Sequence, residues 1–361
     1  MIYISEGLLY IAFAILTGAL VLQNIPVTRR PAASIPNELL LFCVILIPVL
    51  SFIPLNEMTN LYAEAFEMSY GAMLKSMLLE MSVGKAWLWT LIGAIGLYLL
   101  LGLKAFKNDK HTPKVALFVT LLLILWLGYA SHASSLYTFK GLMTHTVHFM
   151  AICIWLGILF VVAWFAKDYT NWHPFLRWFS PLAVISVVVA LTAGLLLMSF
   201  TTPEYFNALI LPYGQALLMK HLLIIPLLLF GFTNGYLYKK MAAEKTGFNP
   251  RNWLRAESIV GLLVLGATAF MGQQAPPHTV KETLQSVSPS PLFNMIYNAP
   301  FSPDIALRFQ LHLDGILMFA AAAVMAIGLL QMYRMNKPLI SFIMGLLTAI
   351  FGYFGVMFSI A

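Results

Sequence analysis

Ten apolar runs separated by short polar breaks make up most of the chain. They fall near 4–22, 38–55, 86–103, 115–132, 143–166, 179–200, 214–238, 255–272, 306–332 and 338–359. Each is close to the roughly 20 residues a helix needs to cross about 30 Å of hydrocarbon. The pattern predicts an all-α fold, a polytopic transmembrane helix bundle of about ten helices forming a single integral membrane domain over 1–361. Two of the connections are long. In 56–85, Met73, Met77 and Met81 recur at helical spacing opposite Lys75 and Glu80. That predicts an amphipathic helix lying at the outer interface, its methionine stripe packing on the membrane surface rather than binding metal. In 273–305, Pro276, Pro277, Pro289, Pro291, Pro300 and Pro303 are too dense for a helix interior and predict an extracytoplasmic loop. Neither an internal repeat nor a separate soluble domain is visible.

Composition removes the soluble alternatives. Hydrophobic residues make up 60% of the 361 and charged residues 10%, with a mean hydropathy of +0.84, where a soluble domain carries about 25% charge. The net charge of +7 invites a nucleic-acid partner, but cytoplasmic loops of membrane proteins account for such an excess more simply. With the N-terminus outside, 15 of the 21 Lys and Arg fall on inner connections, among them Arg29, Arg30, Lys104, Lys239 and Arg334. The reading is therefore a multi-pass protein of the cell membrane with both termini extracytoplasmic. Membrane lipid is its solvent, and nucleic acid is not a partner. The lead Met1 to Glu6 has no positive segment, so the first helix is expected to stay in place. Cys43 and Cys153 both lie inside apolar runs and predict no disulfide.

On this topology six of the eight histidines fall on the outer side. His132 ends the fourth run, His145 and His148 open the fifth, His221 and His312 each lie about two turns into a later run, and His278 sits in the proline-rich loop. Ionisable groups at such depth are costly and mark functional sites by default. His145 and His148, three apart, share a helical face that continues to Trp155. Imidazole suits copper, zinc, iron or nickel, and thioether sulfur shifts preference towards Cu(I). Met219 stands beside His221. A lone histidine at a helix end is more often a hydrogen-bonded group than a ligand, and it is the convergence of several that singles out His132 and His148, with His145, His221 and His312 behind them. Lys220 either snorkels to the outer interface or controls charge. Asp314 is expected deeper than His312, where it would orient a ligand, carry a proton or pair with Lys220 or Arg308.

Several local patterns, in order, are similar to the membrane domain of the copper resistance D (CopD) family. Gly84-Lys85-Ala86-Trp87 resembles that family's Gly-Arg-x-Trp entry to a helix, and Ser131-His132-Ala133 its Ser-His-Ala element. His148 followed by Trp155-Leu156-Gly157 resembles its His-x6-Trp-x-Gly helix. Tyr213-Gly214, Lys220 and Asn234 resemble a Tyr-Gly, Lys and Asn pattern. Arg255-x-Glu257, closing on Pro276-Pro277, resembles an Arg-x-Glu helix ending in Pro-Pro. The resemblance spans a core of about 84–277 and leaves the last two runs uncovered. It implies a membrane protein that transports copper or handles it at the cytoplasmic membrane, usually by uptake, with a copper ion bound at His132 and His148. It also implies an extracytoplasmic copper-binding protein as partner. Some relatives carry that β domain fused, whereas no alternating strand pattern occurs here, so the partner is expected to be separate.

The function expected is copper import without enzymatic catalysis, from an outer histidine site inward past Asn234 and Glu257. The first rival is a membrane redox protein, because histidines paired across helices also hold b-type haem. The second is a factor handing copper to a respiratory oxidase. Hydrolytic and nucleotide-binding motifs are absent from the sequence.

Overall fold

The computed structural model describes residues 2–106, 109–237, 249–297 and 306–361, and these fall into two compact units, 1–200 and 201–361. Lys107, Lys239, Lys240, Lys245, Pro300 and Pro303 lie outside the described residues. Among the described residues, ten helices are long and apolar enough to span a membrane, one for each predicted run, and no β-strand occurs.

The first unit holds α1 (Ile2–Gln23), α2 (Asn37–Ala65), α3 (Tyr70–Glu80), α4 (Ser82–Gly102), α5 (Thr112–Tyr129), α6 (His132–Phe165) and most of α7 (Trp172–Thr201). Its core is α1, which packs on α2, α5 and α6 and buries Leu9, Phe13, Leu16, Ala19 and Leu20. α1 and α6 run parallel: Tyr10 meets Phe149 with ring centroids 5.2 Å apart, and two turns on a Cβ at Gly18 would overlap the Gly157 carbonyl. Close approach of this kind, backbone on backbone, is what small residues permit between membrane helices.

Several boundaries differ from the sequence reading. α2 continues through Pro48 and Pro54 to Ala65 rather than stopping at 55. α6 begins at His132 rather than 143, because Ser131 caps it by accepting from the Ser134 amide at 3.2 Å. Its first turn is set off by a break at Tyr137 and Thr138, where Thr138 has φ 43° and ψ −116°. α3 does form, capped by Ser69. Its Met73 and Met77 are buried beside Leu55 and Ala63, so protein covers that face. Met81 lies past the helix end and is exposed.

The second unit holds the four-residue α8 (Tyr205–Ala208), α9 (Pro212–Phe232) running into a π-helical turn at Thr233–Leu237, and α10 (Arg251–Gly272). After two short helices, α11 (Val280–Thr283) and α12 (Pro291–Ile296), come α13 (Leu313–Arg334) and α14 (Pro338–Met357). The proline-rich segment thus carries short helices between its prolines, with Pro291 in the first turn of α12. A core of Leu209, Leu218, Leu222, Phe293, Tyr353 and Met357 joins α9, α12 and α14. Gln215 ties it polar-side in, donating to the Leu209 carbonyl at 2.6 Å and accepting from Tyr353 at 2.6 Å.

Candidate functional site

His145 and His148 lie one turn apart on α6, the most buried of the long helices, and both are half-buried. His148 Nδ1 is 2.7 Å from the backbone oxygen of Ala190 on α7. A carbonyl only accepts, so Nδ1 carries the hydrogen and donates. In the neutral ring, Nε2 is then the nitrogen with the lone pair. Metal-binding histidines are commonly oriented by such a carbonyl. Gly194 on α7 makes room for the ring, since a Cβ there would come 3.2 Å from His148 Cε1. His145 neighbours Phe149, the rings tilted by 31° with centroids 6.5 Å apart.

His132 is exposed and is the first residue of α6, not the last of the preceding helix. The break at Thr138 separates its turn from the turns bearing His145 and His148. Gly141 folds back closely enough that a Cβ would overlap the Ala133 carbonyl. Trp155 is buried at 8% exposure further along α6.

In the second unit His221 is half-buried on α9, its Nδ1 3.1 Å from the Tyr205 hydroxyl. Burial pushes the Tyr205 phenol up to about 12, so it remains a neutral hydrogen-bonding group at physiological pH. Lys220 beside it is half-buried and Met219 exposed. His312 stands immediately before α13 and Asp314 in its first turn, both exposed. They were expected about two turns inside a helix, but the helix starts at Leu313. Both line an open cavity of about 450 Å³ with Tyr297, Met357 and Phe358.

Asn234 and Glu257 meet at the other end of α9. The π-helical turn carries Asn234 against α10, where its amide donates to Glu257 Oε2 at 2.8 Å and to the Trp253 carbonyl at 3.3 Å. Both side chains are buried, at 5% and 4% exposure. A buried carboxyl with an amide as its partner is a group that a membrane span keeps for a purpose.

His132, His145 and His148 therefore belong to one unit and His221 and His312 to the other. No group of three or more His, Cys, Asp or Glu among the described residues is gathered closely enough to hold a metal ion. Sequence reasoning passed over Glu6 and Tyr10. Glu6 is buried at 9% exposure on α1, and the Tyr10 hydroxyl hydrogen-bonds to it.

Spans of this length, with polar side chains confined to a few buried or half-buried positions, define a polytopic helical membrane protein. Two family models match the sequence, the copper resistance protein D-like N-terminal domain over residues 1–139 and copper resistance protein D over 173–271; the chain belongs to the copper resistance D family. It is 27% identical over 238 residues to the copper transport protein CutJ of Bacillus subtilis (strain 168), an alignment covering 61% of this chain and 42% of that relative. The chain thus spans less than half the length of the curated relative it matches. No solved structure matches it.

Proposed function

We propose that the chain carries copper inward across the cytoplasmic membrane, receiving the ion at the imidazoles of α6. The observation that carries this reading is His148. Its Nδ1 is held by the Ala190 carbonyl, which fixes the ring and gives Nε2 the lone pair a metal needs. The family and the named function of the Bacillus relative support copper as cargo. His145 shares the helix face, and His132 stands at the helix start as the group first reached from the outer loops. His221 and His312 are further stations in the second unit. Asn234 and Glu257 are the polar groups towards the lysine- and arginine-rich ends of the spans. Both termini are extracytoplasmic on this reading, and a separate extracytoplasmic protein delivers the ion. The protein needs no catalytic step. A cation entering a negative-inside cell gains about 2.3 kcal/mol per charge per 100 mV.

Copper accumulation in cells is the test. His132→Ala combined with His148→Ala is expected to abolish accumulation above the background of cells lacking the protein, at unchanged membrane expression. Wild-type accumulation in that variant overturns the reading. An absorption spectrum of the purified protein separates it from the haem alternative, for which a Soret band is required.

A further inference from the structure

The contact between α1 and α6 has a register. Tyr10 faces Phe149, and Gly18 faces Gly157. The same offset along two parallel helices sets Glu6 level with His145. Glu6 is buried, one turn before Tyr10 as His145 is one turn before Phe149. The Tyr10 hydroxyl donates to the Glu6 carboxylate, and its ring lies on Phe149, which in turn neighbours the His145 ring.

We infer that Glu6 is an oxygen ligand of the ion received at α6, set across the helix contact from His145 and positioned by Tyr10. This rests on the reading of α6 as the receiving site and adds a residue from a different helix to it. A carboxylate inside a membrane span is retained where a cation compensates it. A ligating carboxylate is itself oriented by a hydrogen bond from a neighbour, which is the part Tyr10 plays. The donor set also selects an oxidation state. Imidazole nitrogen with carboxylate oxygen suits Cu(II), whereas Cu(I) is favoured by thioether or thiolate sulfur. The anionic oxygen offsets one of the two charges of Cu(II).

The experiment uses the full chain purified in detergent. Cu(II) binding is measured by competition with a chelator and by electron paramagnetic resonance, and Cu(I) binding anaerobically against a Cu(I)-selective chelator. Glu6→Gln, close in shape, is expected to weaken Cu(II) roughly tenfold to a hundredfold and to change the Cu(II) spectrum, with Cu(I) binding altered far less. Glu6→Asp keeps the oxygen donor and retains more affinity than Glu6→Gln. Tyr10→Phe falls between wild type and Glu6→Gln. Adding His145→Ala to Glu6→Gln costs less than the two single losses combined, since both act on one ion. Wild-type Cu(II) affinity and spectrum in Glu6→Gln overturn the inference, as does an equal loss of Cu(I) and Cu(II). Copper accumulation in the same cells keeps the two claims apart. If the His132/His148 double variant fails to accumulate copper while Glu6→Gln binds and accumulates it normally, the Glu6 assignment falls and transport stands. If the double variant accumulates copper normally while Glu6→Gln loses Cu(II), transport falls and the Glu6 site stands.

Discussion

Gly157 ends the Trp-x-Gly stretch of α6, and its job is spatial: a Cβ there would overlap the Ala14 carbonyl of α1. Gly84 does the same for the Met77 carbonyl and Gly214 for that of Ala208, while the Trp87 indole donates to the Pro48 carbonyl at 2.9 Å. Much of what makes the sequence resemble its family is thus packing, with His148 and the Asn234–Glu257 pair standing apart as hydrogen-bonded polar groups. Gly157→Ala is expected to cost about 1–3 kcal/mol by overpacking, read as a lowered unfolding temperature in detergent. Gly266→Ala on α10, where nothing lies within 4 Å of the new carbon, should be neutral or stabilising by up to about 1 kcal/mol. His145 and His148 were legible in the sequence because their spacing alone puts them on one helical face. Glu6 was not: a single acid ahead of an apolar run reads as the polar edge of a span. Its burial comes from tertiary packing of α1, whose neighbours α2, α5 and α6 lie further along the chain. Tyr205 was hidden for the same reason, its role arising from the four-residue α8 beside His221.

Hydropathy located all ten spans but misplaced several of their ends, and the misplaced ends are where His132 and His312 sit. A hydrophobic window finds the middle of a span. Where the helix starts is decided by local hydrogen bonding, such as the Ser131 cap of α6. The methionine helix α3 shows a related limit. Periodicity picked out Met73 and Met77, which are buried, along with Met81, which is not; what covers the first two, Leu55 and Ala63 of α2, is tertiary information. The break in α6 has no sequence signal, since Thr138 is a β-branched residue at φ 43°, a conformation that favours glycine. Such strain costs of the order of 1–3 kcal/mol. Thr138→Gly should therefore raise stability by about 1 kcal/mol, measured by thermal unfolding in detergent, while a lower unfolding temperature would mean that the threonine side chain supports the bend.

Over the whole chain, the distribution of Lys and Arg sets the expected orientation, with both ends outside. A C-terminal alkaline phosphatase fusion should be active and a C-terminal green fluorescent protein fusion dark, and the reverse result would invert the proposed path of the ion. The family models match residues 1–139 and 173–271, so His145 and His148 on α6, like His312 and Asp314 beside the cavity at α13 and α14, lie outside both. One consequence follows from the glycine contact between α1 and α6. Sliding either helix by a single residue, about 1.5 Å, would drive the Ala14 or Gly157 carbonyl into a neighbouring side chain. The pair is a fixed rail. On the proposed reading, an ion seated between Glu6 and His145 would not be ferried by those helices but would leave by trading one ligand for the next, and any movement that opens the way would belong to other helices.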